Sequence, residues 1–305
     1  MILNAIRWNV DPVLFSIGSF DVRYYSLGFL IAFVLGYYII KWMFKREQVR
    51  SEYLDSLLVY IFLAVLIGAR LGHCLFYDAK YFLTSEHWVE IFWPFDNGHF
   101  TGFQGLASHG AAFGILIALW LYQRKYRMNA WWFLDRLVIV VALGGAFIRM
   151  GNVFNSEIYG CETNLPWGFI FVREGETVPK HPTGLYEALS YLIIFAVSLC
   201  YYRKKKGQFK TGTLFGWWLV ALFGVRFLIE FVKTNGVIEG SMLLKGQWLS
   251  IPFIVGGVVI TWLARRDKLP QGPFPQGEDK VRVANWIARE KEEKLKKEQK
   301  KNKKK

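Results

Sequence analysis

Seven windows of predominantly apolar residues, most of them close to 20 long, dominate the chain: 26–44, 56–77, 107–122, 132–148, 184–202, 213–232 and 248–264, the third being the shortest. A run of that length and character is what a helix needs to cross a hydrocarbon core roughly 30 Å thick. Composition points the same way: 53% of the 305 residues are hydrophobic, 18% aromatic and only 20% charged. Mean hydropathy is +0.22, unlike a soluble domain of this length. The expected fold is an all-α membrane protein of about seven transmembrane helices spanning residues 1–264, with a basic tail at 265–305. No cleavable leader is expected, because Asp11, Asp21 and Arg23 interrupt the first 25 residues, so the first span does the targeting.

Charge orients the spans. Lys45, Arg46 and Arg50 follow the first window, Arg124, Lys125 and Arg127 the third, and Arg203, Lys204, Lys205, Lys206 and Lys210 the fifth. The tail after the seventh window carries much of the net charge of +14. Cytoplasmic loops are the ones enriched in Lys and Arg, so the amino terminus is expected outside and the carboxyl terminus inside. The tail reads as a cytoplasmic segment near anionic membrane lipid, not as a nucleic-acid partner. The outer connections are then 78–106, 149–183 and 233–247, and 149–183 is long enough to form a periplasmic head. Cys74, Cys161 and Cys200 are too few and too scattered for a disulfide framework or a metal site and read as packing residues.

On this topology the polar side chains inside or beside the spans gather in the outer half: Tyr25, Arg70, His73, His109, Arg149, His181, Glu187, Arg226, Glu230 and Gln247. Each charge within a span costs on the order of 2.5–3.5 kcal/mol on insertion scales, so several at one depth are expected to share a polar cavity or a ligand. Arg226 and Glu230, four residues apart, share a helix face and are positioned to pair, whether as a self-neutralising couple or as part of a site. His109 lies between Ser108 and Gly110, where small residues admit a close backbone or a ligand. The segment 144–160 is the most informative: Arg149, Asn152, Asn155 and Glu157 are interleaved with Gly151 and Gly160. A cation, amide donors and a carboxylate on a tightly turning backbone suit a phosphate or phosphodiester headgroup.

Arg149-x-Gly151-Asn152-x-x-Asn155-x-Glu157-x-x-Gly160 resembles the signature of the bacterial prolipoprotein diacylglyceryl transferase family. Further matching pieces follow in order: 23–26, 68–72, 108–110, 181–187, the Arg226-x-x-x-Glu230 pair and 246–252. The likeness extends from Tyr25 to about Ala264. It departs from the family at Ala111, where a second glycine is common, and at Phe223, where a tyrosine is common. The resemblance implies transfer of the diacylglyceryl group of phosphatidylglycerol to the lipobox cysteine of a prolipoprotein signal peptide, forming a thioether and releasing glycerol phosphate. It implies an enzyme of the bacterial inner membrane that faces the periplasm and uses neither metal nor cofactor.

With the nucleophile supplied by the substrate, the enzyme's task is to deprotonate a thiol and stabilise a departing phosphate. His109 suits the proton, unless a cationic field alone suffices. Arg149 and Arg226 suit the phosphate. Tyr25, Asn152, Asn155 and Gly160 suit the headgroup, and Glu157 and Glu230 suit orienting the arginines. A transporter would need polar residues through the full thickness. An intramembrane serine protease would need an elbow that Ser108 lacks. A lipid-binding scaffold would share the polar cavity without the transfer.

Overall fold

The computed structural model describes residues 5–18, 20–82, 88–93, 95–96, 99–100, 107–233, 243–274 and 299. In chain order the elements are strands β1 (Ile6–Trp8), β2 (Val13–Ile17) and β3 (Phe20–Arg23), then helices α1 (Tyr24–Arg46), α2 (Ser51–Phe76) and α3 (Ala79–Phe82). Strands β4 (Phe95–Asp96) and β5 (His99–Phe100) precede helices α4 (Ser108–Tyr126) and α5 (Ala130–Phe154). Strand β6 (Phe169–Phe171) and helices α6 (Thr183–Lys205), α7 (Thr213–Glu230) and α8 (Lys245–Arg265) follow. The strands form three two-stranded pairs: β1 parallel to β6, and the hairpins β2–β3 and β4–β5.

Among the described residues six helices, α1, α2, α5, α6, α7 and α8, are long and apolar enough to cross a membrane. The expected third span does form a helix, α4, of 19 residues. Its last turns are Gln123, Arg124, Lys125 and Tyr126, so its apolar stretch is too short to stand with the other six. The chain divides into two units, residues 1–47 with 131–272, and residues 48–130 with 273–305.

In the first unit the spans alternate in direction, and small residues let them approach. Along α1 the buried positions Gly28, Ala32, Gly36 and Ile40 recur every four residues, while Phe29, Leu30, Val34, Leu35 and Tyr38 point outward. An apolar outer face over a small-residue inner face is how a helix meets lipid on one side and another helix on the other. Gly28 meets Phe147 and Gly36 meets Val140, so α1 and α5 are antiparallel. Gly145 lies on Tyr191 and Gly184 on Val153, which sets α6 antiparallel to α5; Gly216 against Gly257 and Thr261 does the same for α7 and α8. The starts of α1, α6 and α8 thereby share one end of the unit with the finishes of α5 and α7.

In the second unit α2 and α4 cross at glycine contacts. A Cβ on Gly110 would collide with the Gly68 carbonyl oxygen, and one on Gly114 with that of Ala64. The small residues beside His109 thus admit a neighbouring backbone. Beyond α2, Arg70 donates from Nε to the Ile91 carbonyl (3.0 Å) and from Nη2 to that of Glu90 (2.7 Å), and its guanidinium lies 4.8 Å from the Phe82 ring. Arg70 therefore holds the connection after α2, satisfying otherwise orphaned carbonyls.

Buried charge is not confined to one end of the first unit, contrary to the sequence expectation. At the end away from Arg149, Arg136 is 1% exposed and donates to both oxygens of Glu47, at 3.0 and 2.5 Å, and to the carbonyls of Trp132 and Gly207. Trp132 Nε1 and the Tyr202 hydroxyl also donate to Glu47, at 3.1 and 2.7 Å. Beside it, buried Asp135 accepts the backbone N–H groups of Gly212 (2.7 Å) and Phe215 (2.8 Å), capping α7 from a different helix. These charges stand at helix ends, where the chain must turn and leaves polar groups to satisfy, so they knit α1, α5, α6 and α7 together. Glu47→Ala leaves the Arg136 guanidinium buried without its partner and is expected to cost about 3–5 kcal/mol, measured as a loss of stability in detergent denaturation, whereas Glu47→Gln should cost less.

Candidate active site

The polar groups at the other end of the first unit begin with the last turns of α5. Gly151 has no side chain because Tyr25 fills that space: a Cβ there would lie 2.5 Å from the Tyr25 ring. The tight turn after α5 is made by Ser156 (φ 57°) and Ile158 (φ 55°), both left-handed and neither a glycine. For β-branched Ile158 that conformation is costly, of a kind concentrated at functional sites. Its effect is to fold Glu157 back over the helix end, its N–H bonded to the Asn152 carbonyl at 2.8 Å. The Glu157 carboxylate then accepts Asn152 Nδ2 (3.1 Å) and Asn155 Nδ2 (3.0 Å). Gly151 and Gly160, expected to supply the turn, serve close packing instead. A Cβ on Gly160 would collide with the Val232 carbonyl oxygen, and Gly160 bridges to Lys233.

Arg149 connects this turn to α6. Its Nη1 donates to Asn152 Oδ1 (3.2 Å) and its Nε pairs with Glu187 Oε2 (2.5 Å). Glu187 is fully buried, and its other oxygen accepts Lys233 Nζ at 2.7 Å. Lys233 also lies 3.6 Å from Glu230 Oε2, and Glu230 Oε1 accepts the Gly246 N–H (3.2 Å) in the first turn of α8. Charges alternate along this line, cation against carboxylate, as burial demands. Gln247, fully buried, accepts the Leu244 N–H at 2.9 Å and completes that helix start.

The expected Arg226–Glu230 pair is not made among the described residues. Glu230 ends α7 and finds better partners there, the unsatisfied N–H groups opening α8 and the Lys233 ammonium. Arg226 is left with no carboxylate within ion-pair distance among the described residues. Its charge lies within electrostatic reach of the Tyr191 phenol, as does that of Arg149. Tyr25 likewise feels both Arg149 and Glu157.

Tyr25, Arg149, Asn152, Asn155, Glu157, Gly160, Arg226 and Glu230 therefore collect at one end of one unit. His109 opens α4 in the other unit, and its side chain lies outside the described residues. The sequence reading missed the central place of Glu187 and the second cation, Lys233. Glu187 was visible as one of the few carboxylates within a span; nothing marked Lys233 beyond its position three residues after Glu230.

An antiparallel set of apolar spans with Arg149, Arg226 and their polar neighbours gathered at one end defines a multi-pass membrane protein. The family model for prolipoprotein diacylglyceryl transferase matches residues 12–263, and the chain belongs to that family. Proteins named phosphatidylglycerol–prolipoprotein diacylglyceryl transferase are similar over nearly their whole length. The one from Bacteroides fragilis is 40% identical over 88% of this chain and 98% of its own. That of Tolumonas auensis is 41% identical over 86% and 98%, and that of Porphyromonas gingivalis 40% over 86% and 94%.

Between the turn and α6, the Tyr186 hydroxyl accepts Trp167 Nε1–H (3.0 Å) and stands 3.1 Å from His181 Nδ1, to which it donates when that nitrogen is unprotonated. Burial holds the His181 imidazole below its ordinary value of 6.5. The folded state thus prefers the neutral ring, and its contribution to stability is present above pH 6.5 and lost as pH falls through the lower folded value. Thermal unfolding scanned downward from pH 7.5 should show this acid loss, and His181→Gln should flatten it.

Proposed function

We propose that the chain transfers the diacylglyceryl group of phosphatidylglycerol to the lipobox cysteine of a prolipoprotein. The observation that carries the reading is Arg226, a half-buried cation with no carboxylate of its own among the described residues, within electrostatic reach of the same Tyr191 as Arg149. A buried cation left unpaired is costly, and an anionic headgroup would relieve it. The names of the relatives supply the two substrates.

In this reading the precursor's thiol loses its proton and its sulfur attacks the glyceryl carbon bearing the phosphate ester. A carbon–sulfur bond forms as the carbon–oxygen bond breaks, and the electron pair departs with glycerol phosphate. Arg149 and Arg226 bind the phosphate and stabilise the charge that builds on it. Asn152, Asn155 and Tyr25 hold the glycerol head, and Glu157 orients the two amides. Glu230 acts by fixing the start of α8 and Lys233, and Gly160 by letting the 232–233 segment lie against the head. His109 takes the thiol proton.

The site is assigned to the periplasmic side of the bacterial inner membrane, with the amino terminus outside, residues 149–183 as the periplasmic head and the 265–305 tail in the cytoplasm near membrane lipid. The helix ends of the first unit support this: α1, α6 and α8 all finish in basic residues, Lys45 and Arg46, Arg203 to Lys205, and Arg265, at the end away from Arg149. A transport path is disfavoured because the buried side chains of α5 between Arg136 and Arg149 are all apolar, Val138, Ile139, Val140, Ala142, Leu143 and Ala146.

Purified protein incubated with labelled phosphatidylglycerol and a lipobox peptide should yield diacylglyceryl-modified cysteine by mass; lipid retention without product would mark a scaffold instead. Arg149→Ala and Arg226→Ala should each lower transfer by about 100-fold or more while the protein still inserts, and near-normal activity in either would remove that residue from the mechanism. His109→Asn at wild-type rate with a flat pH profile would exclude the histidine as proton acceptor.

A further inference from the structure

Lys233 belongs to none of the windows or motifs that the sequence singles out, yet its ammonium meets both buried carboxylates beneath the proposed phosphate site, Glu187 at 2.7 Å and Glu230 at 3.6 Å. Glu187 is fully buried and stands between two cations, one oxygen on Arg149 Nε and the other on Lys233 Nζ. Arg149 has its Nε 2.5 Å from Glu187 and donates from Nη1 to Asn152, and among the described residues no hydrogen bond joins its Nη2 to a carboxylate. A carboxylate facing a guanidinium prefers the two-pronged arrangement that takes Nε and Nη2 together. Here the second oxygen of Glu187 is occupied by Lys233 and that arrangement is not adopted.

We propose that Lys233 is a positioning residue that holds Glu187 to a single contact with Arg149, leaving the Nη2 edge of the guanidinium to the lipid phosphate. The idea rests on the transferase reading for its substrate, but its geometry is that of an anion site and is testable by binding alone. Without Lys233, Glu187 turns its freed oxygen onto Nη2 and competes with the lipid for Arg149. The buried carboxylate then also keeps a full negative charge beside the place the phosphate must occupy. Lys233 is tied by its backbone to Gly160 through an antiparallel bridge, and the Cys161 N–H bonds to the Val232 carbonyl at 2.9 Å, so the ammonium is held at a set distance from the turn that carries Glu157.

The test uses the full chain as wild type, Lys233→Met, Lys233→Arg and the double variant Glu187→Gln/Lys233→Met. Two readouts are taken: retention of phosphatidylglycerol by native mass spectrometry, and KM and kcat for transfer to a lipobox peptide. Lys233→Met should weaken retention and raise KM for the lipid by about tenfold, the size of one charge-assisted hydrogen bond, with a smaller change in kcat. Lys233→Arg should restore both. The double variant should recover most of the loss, because an uncharged amide in place of the carboxylate has no drive to take a second guanidinium nitrogen. It also removes the buried charge that Lys233 neutralised, so it keeps the test open even if Lys233→Met alone fails to fold. A double variant as defective as Lys233→Met, or wild-type retention in Lys233→Met, overturns the proposal. If the wild type retains lipid with these variant effects but forms no thioether, the transferase reading fails and the role of Lys233 stands.

Discussion

The ion pair of Arg149 with Glu187 is the contact on which the polar end of this protein depends, because it sets a charge from α5 against one from α6 where little water can reach either. In a medium of low dielectric an unpaired charge costs several kcal/mol, so each group recruited there demands another. Glu187 recruits Lys233, Lys233 approaches Glu230, and Glu230 reaches the opening turn of α8. The line passes from α5 to α8 through four side chains, and each helix start or finish it touches is fixed in consequence. Among the described residues Arg226 does not join that line, and it is this unpaired cation that the proposed lipid phosphate would meet.

Helix packing makes that line available. Glycines and alanines on the inner faces let successive spans of the first unit lie close and antiparallel, so residues far apart in sequence come to the same end. The association does not rest on apolar burial, since the outer faces are as apolar as the inner ones; it rests on close backbone approach and on the polar contacts at the two ends. The Glu47–Arg136 cluster does at one end what Arg149–Glu187 does at the other, but it is closed upon itself: Glu47 accepts from Arg136, Trp132 and Tyr202, and the guanidinium is stacked over Trp132 at 4.2 Å. With its partners all supplied by the protein, that cluster holds the fold. At the Arg149 end one cation, Arg226, has no carboxylate partner among the described residues, which is the opening the proposed function uses.

Much of this was legible along the chain. Six of the seven apolar windows became helices fit to cross a membrane. The spacing from Arg149 to Gly160 marked the segment that forms the turn, and the Arg149, Asn152 and Glu157 side chains are joined by hydrogen bonds there. What misled was locality. Arg226 and Glu230 lie one helical turn apart and invite pairing, but Glu230 is the last residue of α7 and answers to the helix that begins at Lys245. The glycines of the motif suggested a flexible turn, whereas left-handed Ser156 and Ile158 make it, and the glycines admit Tyr25 and the 232–233 segment. Asp135 and Arg136 lay unmarked in the fourth window because their partners, Glu47 and the start of α7, are distant in sequence.

Sequence by itself determined that this chain must lie in a membrane and that its helices would carry a few ionisable groups too expensive to leave alone, because apolar length and insertion cost are properties of each segment taken singly. It also determined the family, since the spacing of a dozen residues around Arg149 is itself the signature. Only the tertiary structure decided which charge neutralises which. A buried charge pairs with whatever the packed neighbours bring within reach, and that depends on the direction and closeness of helices whose contacts no single segment records. Lys233 is the plainest case, an ordinary lysine in the sequence that becomes the partner of a buried carboxylate 46 residues away.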